Sequence, residues 1–402
     1  MGFLEVPYSS YGGNTTIRAG VLQANDGIGL PTNSFLSLDG GVLQTEGTAT
    51  FSRNQDTSGA GNFQWTANGG GFSAAGGKLT VSIGGNSNPL TWDTSVGAHI
   101  VGTLRFGSRT ASAETEMTNS IDLNGGTRTI EVTAGVGGDF VTLSGAIFDT
   151  IGGGQLIKTG TGILTLTGVN TYTSSTTLDG GTLRVGTPGA LPSGTALVVN
   201  AGILDFNNDG TSSDQAVASL AGSGGTITNT DALHIRTFTI TANTDTTFAG
   251  LITGNFSLVI ATDGSHTVTL AGGASYTGEM TNNGPGTLNL EGPQNISTLN
   301  ANGGTTNVNG PLGTGGTSDV VANADIHFGS VSQTLASLTI GAGATVTFSS
   351  GPVSFTASGG RKAMSFGGTS GVPEPGSAGL LAAGALALLA RRRRGDRRSG
   401  NE

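Results

Sequence analysis

Leu156-Ile157-Lys158-Thr159-Gly160-Thr161-Gly162-Ile163-Leu164-Thr165-Leu166-Thr167-Gly168-Val169-Asn170-Thr171-Tyr172 alternates apolar residues with threonine in two short runs, and glycines break the chain between them. Period-two alternation puts one set of side chains on each face of an extended strand, so each run predicts a half-buried strand and each glycine a corner. The same grammar recurs at His266-Thr267-Val268-Thr269-Leu270 and Ala344-Thr345-Val346-Thr347-Phe348. No stretch of a dozen residues between 1 and 370 has helical apolar spacing together with a helix-forming composition.

The runs keep a cadence. Gly181-Thr182-Leu183, Gly202-Ile203-Leu204 and Gly225-Thr226-Ile227 follow one another at 21 and 23 residues, and Gly286-Thr287-Leu288 and Gly343-Ala344-Thr345-Val346 repeat the theme. A period near twenty with short strands in each period predicts a solenoid whose turns stack. The fold expected is therefore all-β, a right-handed parallel β-helix (β-solenoid), followed by a single hydrophobic C-terminal helix. About 350 residues at roughly 20 per turn give some seventeen turns and a rod on the order of 80 Å long. Glycine is 72 of 402 residues, which suits a chain with many tight corners.

Composition narrows the function classes. There is no cysteine, hence no disulfide, thiolate metal site or cysteine nucleophile. The four histidines, at 99, 234, 266 and 327, have no metal-ligand spacing. The last twelve residues hold six arginines and two acids, leaving 11 bases and 24 acids in the preceding 390, a net of −13. Such a body offers nucleic acid no basic face.

Residues 156–172, with Thr176 and Gly181-Thr182-Leu183, resemble the autotransporter-associated β-strand repeat, also called the passenger-associated transport repeat. Its pattern falls here on Lys158, Gly160, Gly162, Leu164, Leu166, Gly168, Asn170, Tyr172, Gly181 and Leu183, with Ser174 where the family prefers glycine. A degenerate second copy is read at Leu258, Gly264, Val268, Leu270, Gly272, Tyr276, Gly278, Gly286 and Leu288. Upstream, Trp65, Leu90-Thr91-Trp92, Asn119-Ser120-Ile121-Asp122-Leu123 and Arg128-Thr129-Ile130 resemble the module that often precedes such repeats. The resemblance implies a passenger-type β-solenoid displayed outside the cytoplasm and does not imply an enzyme; no enzymatic activity, cofactor or metal is expected.

Val372-Pro373-Glu374-Pro375, the apolar run from Gly376 to Ala390 and Arg391-Arg392-Arg393-Arg394 resemble a PEP-CTERM sorting signal. That family implies recognition and processing by an exosortase in the inner membrane. The prolines hold the tetrapeptide extended, and the four arginines act as a cytoplasmic basic stop. Fifteen apolar residues span only about 22 Å as a helix, short of the hydrocarbon core, so the tail reads as a transient anchor in the inner membrane. Because Met1 to Val6 lacks the features of a signal peptide, a leader upstream of Met1 is expected.

The expected organisation is an irregular N-terminal cap (1–39), a solenoid module preceding the repeat (40–145), the repeat (146–186), continued solenoid with the degenerate copy (187–350), a Gly/Ser-rich linker (351–371) and the sorting signal (372–398). Function reads as an exported non-enzymatic surface or matrix protein, with an exosortase and exopolysaccharide as partners. The alternative is a β-helical polysaccharide-degrading enzyme or an adhesin. Candidate carboxylates for an enzyme are Asp205 with Asp209, or Asp122 with Asp139; as structural residues they are polar corners. Lys158 is expected at the surface or a corner, Tyr172 and Tyr276 packed with hydroxyls at the rim, and Trp65 and Trp92 in the core rather than as a sugar platform.

Overall fold

A computed structural model describes residues 3–5, 10–95, 97–206, 214–313, 317–351, 353–355 and 365–366. The described residues form an all-β parallel solenoid. Strands are short, most of three to five residues, because glycine, asparagine or proline interrupts each alternating run before it can lengthen. Among the described residues the helical element is a three-residue 3-10 turn, Ile83–Gly85, and no helix there is long and apolar enough to cross a membrane. The expected C-terminal helix lies outside the described residues.

Lateral pairing can be followed along the whole body, Phe3 to Val21 to Val42 to Gly71 to Arg105 to Glu131 to Thr159. It continues from Lys158 to Leu178 to Val199, from Val198 to Ala221, and through the bridge from Gly222 to Phe248. Leu270, Leu290, Val308, Phe328 and Phe348 complete the series. Sixteen stacked levels result, or about 70 Å at the spacing of hydrogen-bonded strands. Every pairing in the series is parallel.

The cadence of the sequence is thereby explained and divided. Leu183, Leu204 and Ile227 are Cα partners in one face, continuing to Ile252. Leu288 and Val346 belong to a different face, joined through Thr306 and Ile326. Alternation puts one column inward at each level: Leu183, Leu204 and Ile227 are fully buried, and each such side chain contributes about 1.5–3 kcal/mol.

One corner of the rod is a stack of glycines. A Cβ on Gly181 would stand 2.5 Å from Gly160 O, and one on Gly202 2.4 Å from Gly181 O. The series continues through Gly225, Gly250, Gly272, Gly292 and Gly310, where Cβ atoms would meet the carbonyl of the preceding glycine at 3.0, 2.5, 1.9, 2.1 and 2.1 Å. Levels approach too closely there for any side chain, which accounts for the glycine at each of these positions. Gly160 and Gly181 carry a second constraint, φ of +76° and +64°.

Two boundaries differ from expectation. Residues 15–38 are not an irregular cap: Thr15–Ile17, Val21–Gln23 and Leu36–Leu38 are paired strands, with Leu30, Leu36 and Leu38 fully buried. Three-residue strands are too short to show alternation, so the sequence hid them. Within the expected linker, Val353–Phe355 pairs with Gln333–Leu335, and Ser365–Phe366 closes antiparallel on it.

Candidate functional site

The repeat residues form a cross-level brace. Lys158 sits on the strand Gln155–Thr159 at an inward position and is fully buried, where surface or corner placement was expected. Its Nζ reaches the corner from inside, donating to Thr159 O (2.8 Å), Gly180 O (3.1 Å) and Gly160 O (3.3 Å). Burial lowers its pKa to about 8, against the weaker opposing pull of Glu131. The amine is committed to carbonyls on two successive levels, a clamp rather than a base.

Asn170 does the same with an amide: Oδ1 accepts from Ile147 N (2.7 Å) and Nδ2 donates to Ala190 O (2.7 Å), linking the levels before and after its own. Tyr172 is fully buried, and its hydroxyl is not at the rim; it meets Thr176 Oγ1 at 2.7 Å, which in turn meets Thr195 Oγ1 at 3.0 Å. Burial raises the Tyr172 phenol. Tyr276 is buried too, and its hydroxyl has no partner among the described residues. Leu164, Leu166 and Leu183 fill the core, and Gly160, Gly162, Gly168 and Gly181 stand where a Cβ would strike the neighbouring level at 2.3 to 2.6 Å.

The candidate carboxylates hold turns. Asp122 accepts from Asn124 N (2.9 Å), Thr150 N (3.1 Å) and Thr150 Oγ1 (2.5 Å). Burial pushes its pKa up, but these hydrogen bonds outweigh it and the net direction is down. Asp139 accepts from Gly135 N at 2.8 Å. Asp205 faces Arg184 and the Thr230 hydroxyl; Asp209 lies outside the described residues. Trp65 and Trp92 are buried, their indole N–H groups donating to Gly70 O (3.2 Å) and Gly102 O (3.0 Å), so core packing is the role seen.

Some outward columns carry uncharged polar ladders, while others set an amide against an acid, as at Asn300 with Glu279 and Asn309 with Glu291. On the face that ends at Thr347, Thr269, Asn289 and Asn307 succeed one another, with Asn289 Nδ2 donating to Thr269 Oγ1 (3.3 Å) and Asn307 Nδ2 to Asn289 Oδ1 (2.8 Å). A second ladder links Asn323 Nδ2 to Asn302 Oδ1 (2.9 Å) and Asn302 Nδ2 to Asn283 Oδ1 (3.1 Å). A cleft of about 700 Å³ opens between levels and is lined by Asn229, Asn255, Ser275, Thr277, Asn295 and Ser297 among others, with no charged side chain. Hydroxyls and amides without charge suit a hydrated neutral ligand. Among the described residues, no three His, Asp or Glu side chains converge as a metal site.

The expected sorting residues Val372, Pro373, Glu374 and Pro375 and the expected basic stop, Arg391 to Arg394, lie outside the described residues. Their identity rests on comparison: residues 371–394 match the PEP-CTERM protein-sorting motif. Residues 8–24 and 156–185 match the Passenger-associated-transport-repeat family. The first of these stretches was missed as a repeat in the sequence, and the degenerate copy read at 258–288 is not among the matched residues. The chain is also similar to the Adhesin BmaC autotransporter of Brucella suis biovar 1 (strain 1330), 34% identical over 220 residues. The alignment takes in 52% of this chain and 6% of that relative's length. No solved structure matches the chain.

Proposed function

We propose that the chain is an exported, non-enzymatic surface rod of adhesin type, which an exosortase sorts and processes through its C-terminal tail and which associates with exopolysaccharide. The observation that carries this reading is the pairing of a match to the PEP-CTERM protein-sorting motif at 371–394 with a passenger-type repeat on a β-solenoid. An arginine run following a short apolar segment leaves the body on the far side of the inner membrane. Ladders of Asn, Thr and Ser on the surface offer a sugar polymer many equivalent hydrogen bonds. The adhesin name of the Brucella relative supports the same reading, although this chain spans only 6% of it.

The test is the intact mass of the protein taken from its native cell surface. A chain ending near Pro375 is expected. A surface-bound chain that still carries Arg391 to Arg394 would refute processing, and release from cells unaffected by stripping the polysaccharide would refute the association.

A further inference from the structure

Between Asn68, Thr103 and Thr129 lies a second, smaller cleft of about 360 Å³, whose lining also includes Trp92, Asp93 and Arg128. It crosses three levels of the rod. Thr103 immediately precedes the strand Leu104–Phe106, which pairs with Thr127–Val132 in the register Leu104 to Ile130. That register brings Thr103 beside Thr129, and Gly102 beside Arg128. On the third side, Asp93 ends the strand Leu90–Asp93.

Arg128 is the unusual feature. It occupies an inward position on its strand, where the other inward residues, Ile130 and Val132, are apolar, and it is 7% exposed. Nε donates to Leu123 O (2.8 Å) and Nη2 to Trp92 O (2.5 Å), which fixes the guanidinium plane. Nη1 has no partner among the described residues, and the group makes no ion pair there. Burial draws its pKa down, while Asp93, Asp122 and Asp149 act against that from beyond contact distance. Nη1 is reachable from the cleft, so an acceptor on a bound molecule can take the place that water otherwise fills.

The choice of acceptor follows from charge. Three carboxylates already surround Arg128, and one of them, Asp93, lines the cleft itself. A second carboxylate or a phosphate would face Asp93 at close range, where like charges repel. A cation would face the guanidinium. A flat aromatic ligand would find no exposed ring, since Trp92 is 1% exposed and edge-anchored through its N–H. A neutral polyol satisfies both ends at once, because a hydroxyl donates to a carboxylate while its neighbour accepts from the guanidinium. The volume suits one or two sugar rings.

We infer that this cleft binds one or two residues of a neutral glycan, with Asp93 as acceptor, Arg128 Nη1 as donor and the Thr103 and Thr129 hydroxyls completing the contacts. The inference rests on the reading that the rod contacts polysaccharide, and names where and through what chemistry. It adds a ligand contact to the backbone clamp that Arg128 already makes through Leu123 O and Trp92 O.

The experiment is calorimetric titration of the full chain with cellobiose, lactose and N,N′-diacetylchitobiose, with glucuronate as the charged comparison. Asp93→Ala and Thr129→Val serve as variants, because Asp93 lies at an exposed turn and Val matches Thr in shape. At least one neutral disaccharide should bind, glucuronate should bind at least tenfold more weakly, and each variant should lose at least fivefold in affinity while keeping the native circular-dichroism spectrum. Tighter binding of glucuronate overturns the inference. So does the absence of binding by all three disaccharides, or binding that survives both variants. None of these failures alters the length of the chain recovered from the cell surface, so the exported-rod reading stands or falls separately.

Discussion

Lys158 is the residue whose chemistry departs furthest from its solution behaviour. Its pKa is about 8 in the fold against an ordinary 10.5, because burial of the ammonium outweighs the pull of Glu131 and its bonds go to neutral carbonyl oxygens. Between these values the unfolded chain holds a proton that the folded chain has released, so this group makes stability rise with pH across that window. The full effect is roughly 3 kcal/mol. Buried Tyr172 and Tyr276 act oppositely, since burial raises their phenols above the ordinary 10 and unfolding is favoured once the unfolded chain ionises. That contribution is common to the native chain and to Lys158→Met. Urea midpoints of the two proteins, measured from pH 7.5 to 10.5, should therefore diverge in favour of the native chain as pH rises; parallel curves would mean that the amine is not desolvated. In the sequence Lys158 looked like a surface residue because lysine is rarely buried. Its inward position follows from alternation with Leu156, and the alternation was the better guide.

Strands here are too short to be stable alone, so what defines an element is the level it rests on. The glycine stack shows this most directly. Gly272 has an ordinary backbone conformation, yet its Cβ would lie 1.9 Å from Gly250 O, whereas a Cβ on Gly13 meets nothing within 4 Å. Gly272→Ala should cost about 2–3 kcal/mol by forcing two levels apart, and Gly13→Ala should fall within about 0.5 kcal/mol of the native chain. Equal effects in equilibrium denaturation would show that the corner yields freely. The fold was legible in the sequence because alternation and the twenty-residue cadence both survive at Gly181, Gly202 and Gly225. The face to which each strand belongs was not, since Leu183 and Leu288 stand in the same Gly-Thr-Leu triplet yet line different sheets. The Arg128 cleft was hidden for a related reason: its parts come from residues 68, 93, 103 and 129, gathered by levels of irregular length. Arg128 at an inward position of Thr127–Val132 was the signal that could have pointed to it.

A rod built level on level behaves as a one-dimensional array, in which each level is stabilised by its own core and by two neighbours. The levels that hold Ile340 and Phe348 have less of both. Ile340 is 51% exposed and Phe348 41%, although they continue inward columns whose previous members, Ala322 and Phe328, are buried. Phe348 stacks on Phe328 with ring centroids 4.9 Å apart, and that contact supplies much of what it has. Levels in the middle of the rod are closed on both sides, as at Leu178, which lies between Lys158 and Val199 and is fully buried. Opening should therefore begin at the C-terminal end of the solenoid and travel inward, since local stability follows local burial. Hydrogen exchange followed by mass spectrometry should find the amides of Ser337–Ile340 and Val346–Phe348 exchanging well before those of Ser175–Leu178. Phe328→Ala, which empties a buried place, should extend fast exchange inward to Thr305–Val308, while Phe348→Ala should leave that strand protected. Uniform protection from Ser175 to Phe348 would instead make the solenoid a single cooperative unit, with its exposed end level as firmly held as its centre.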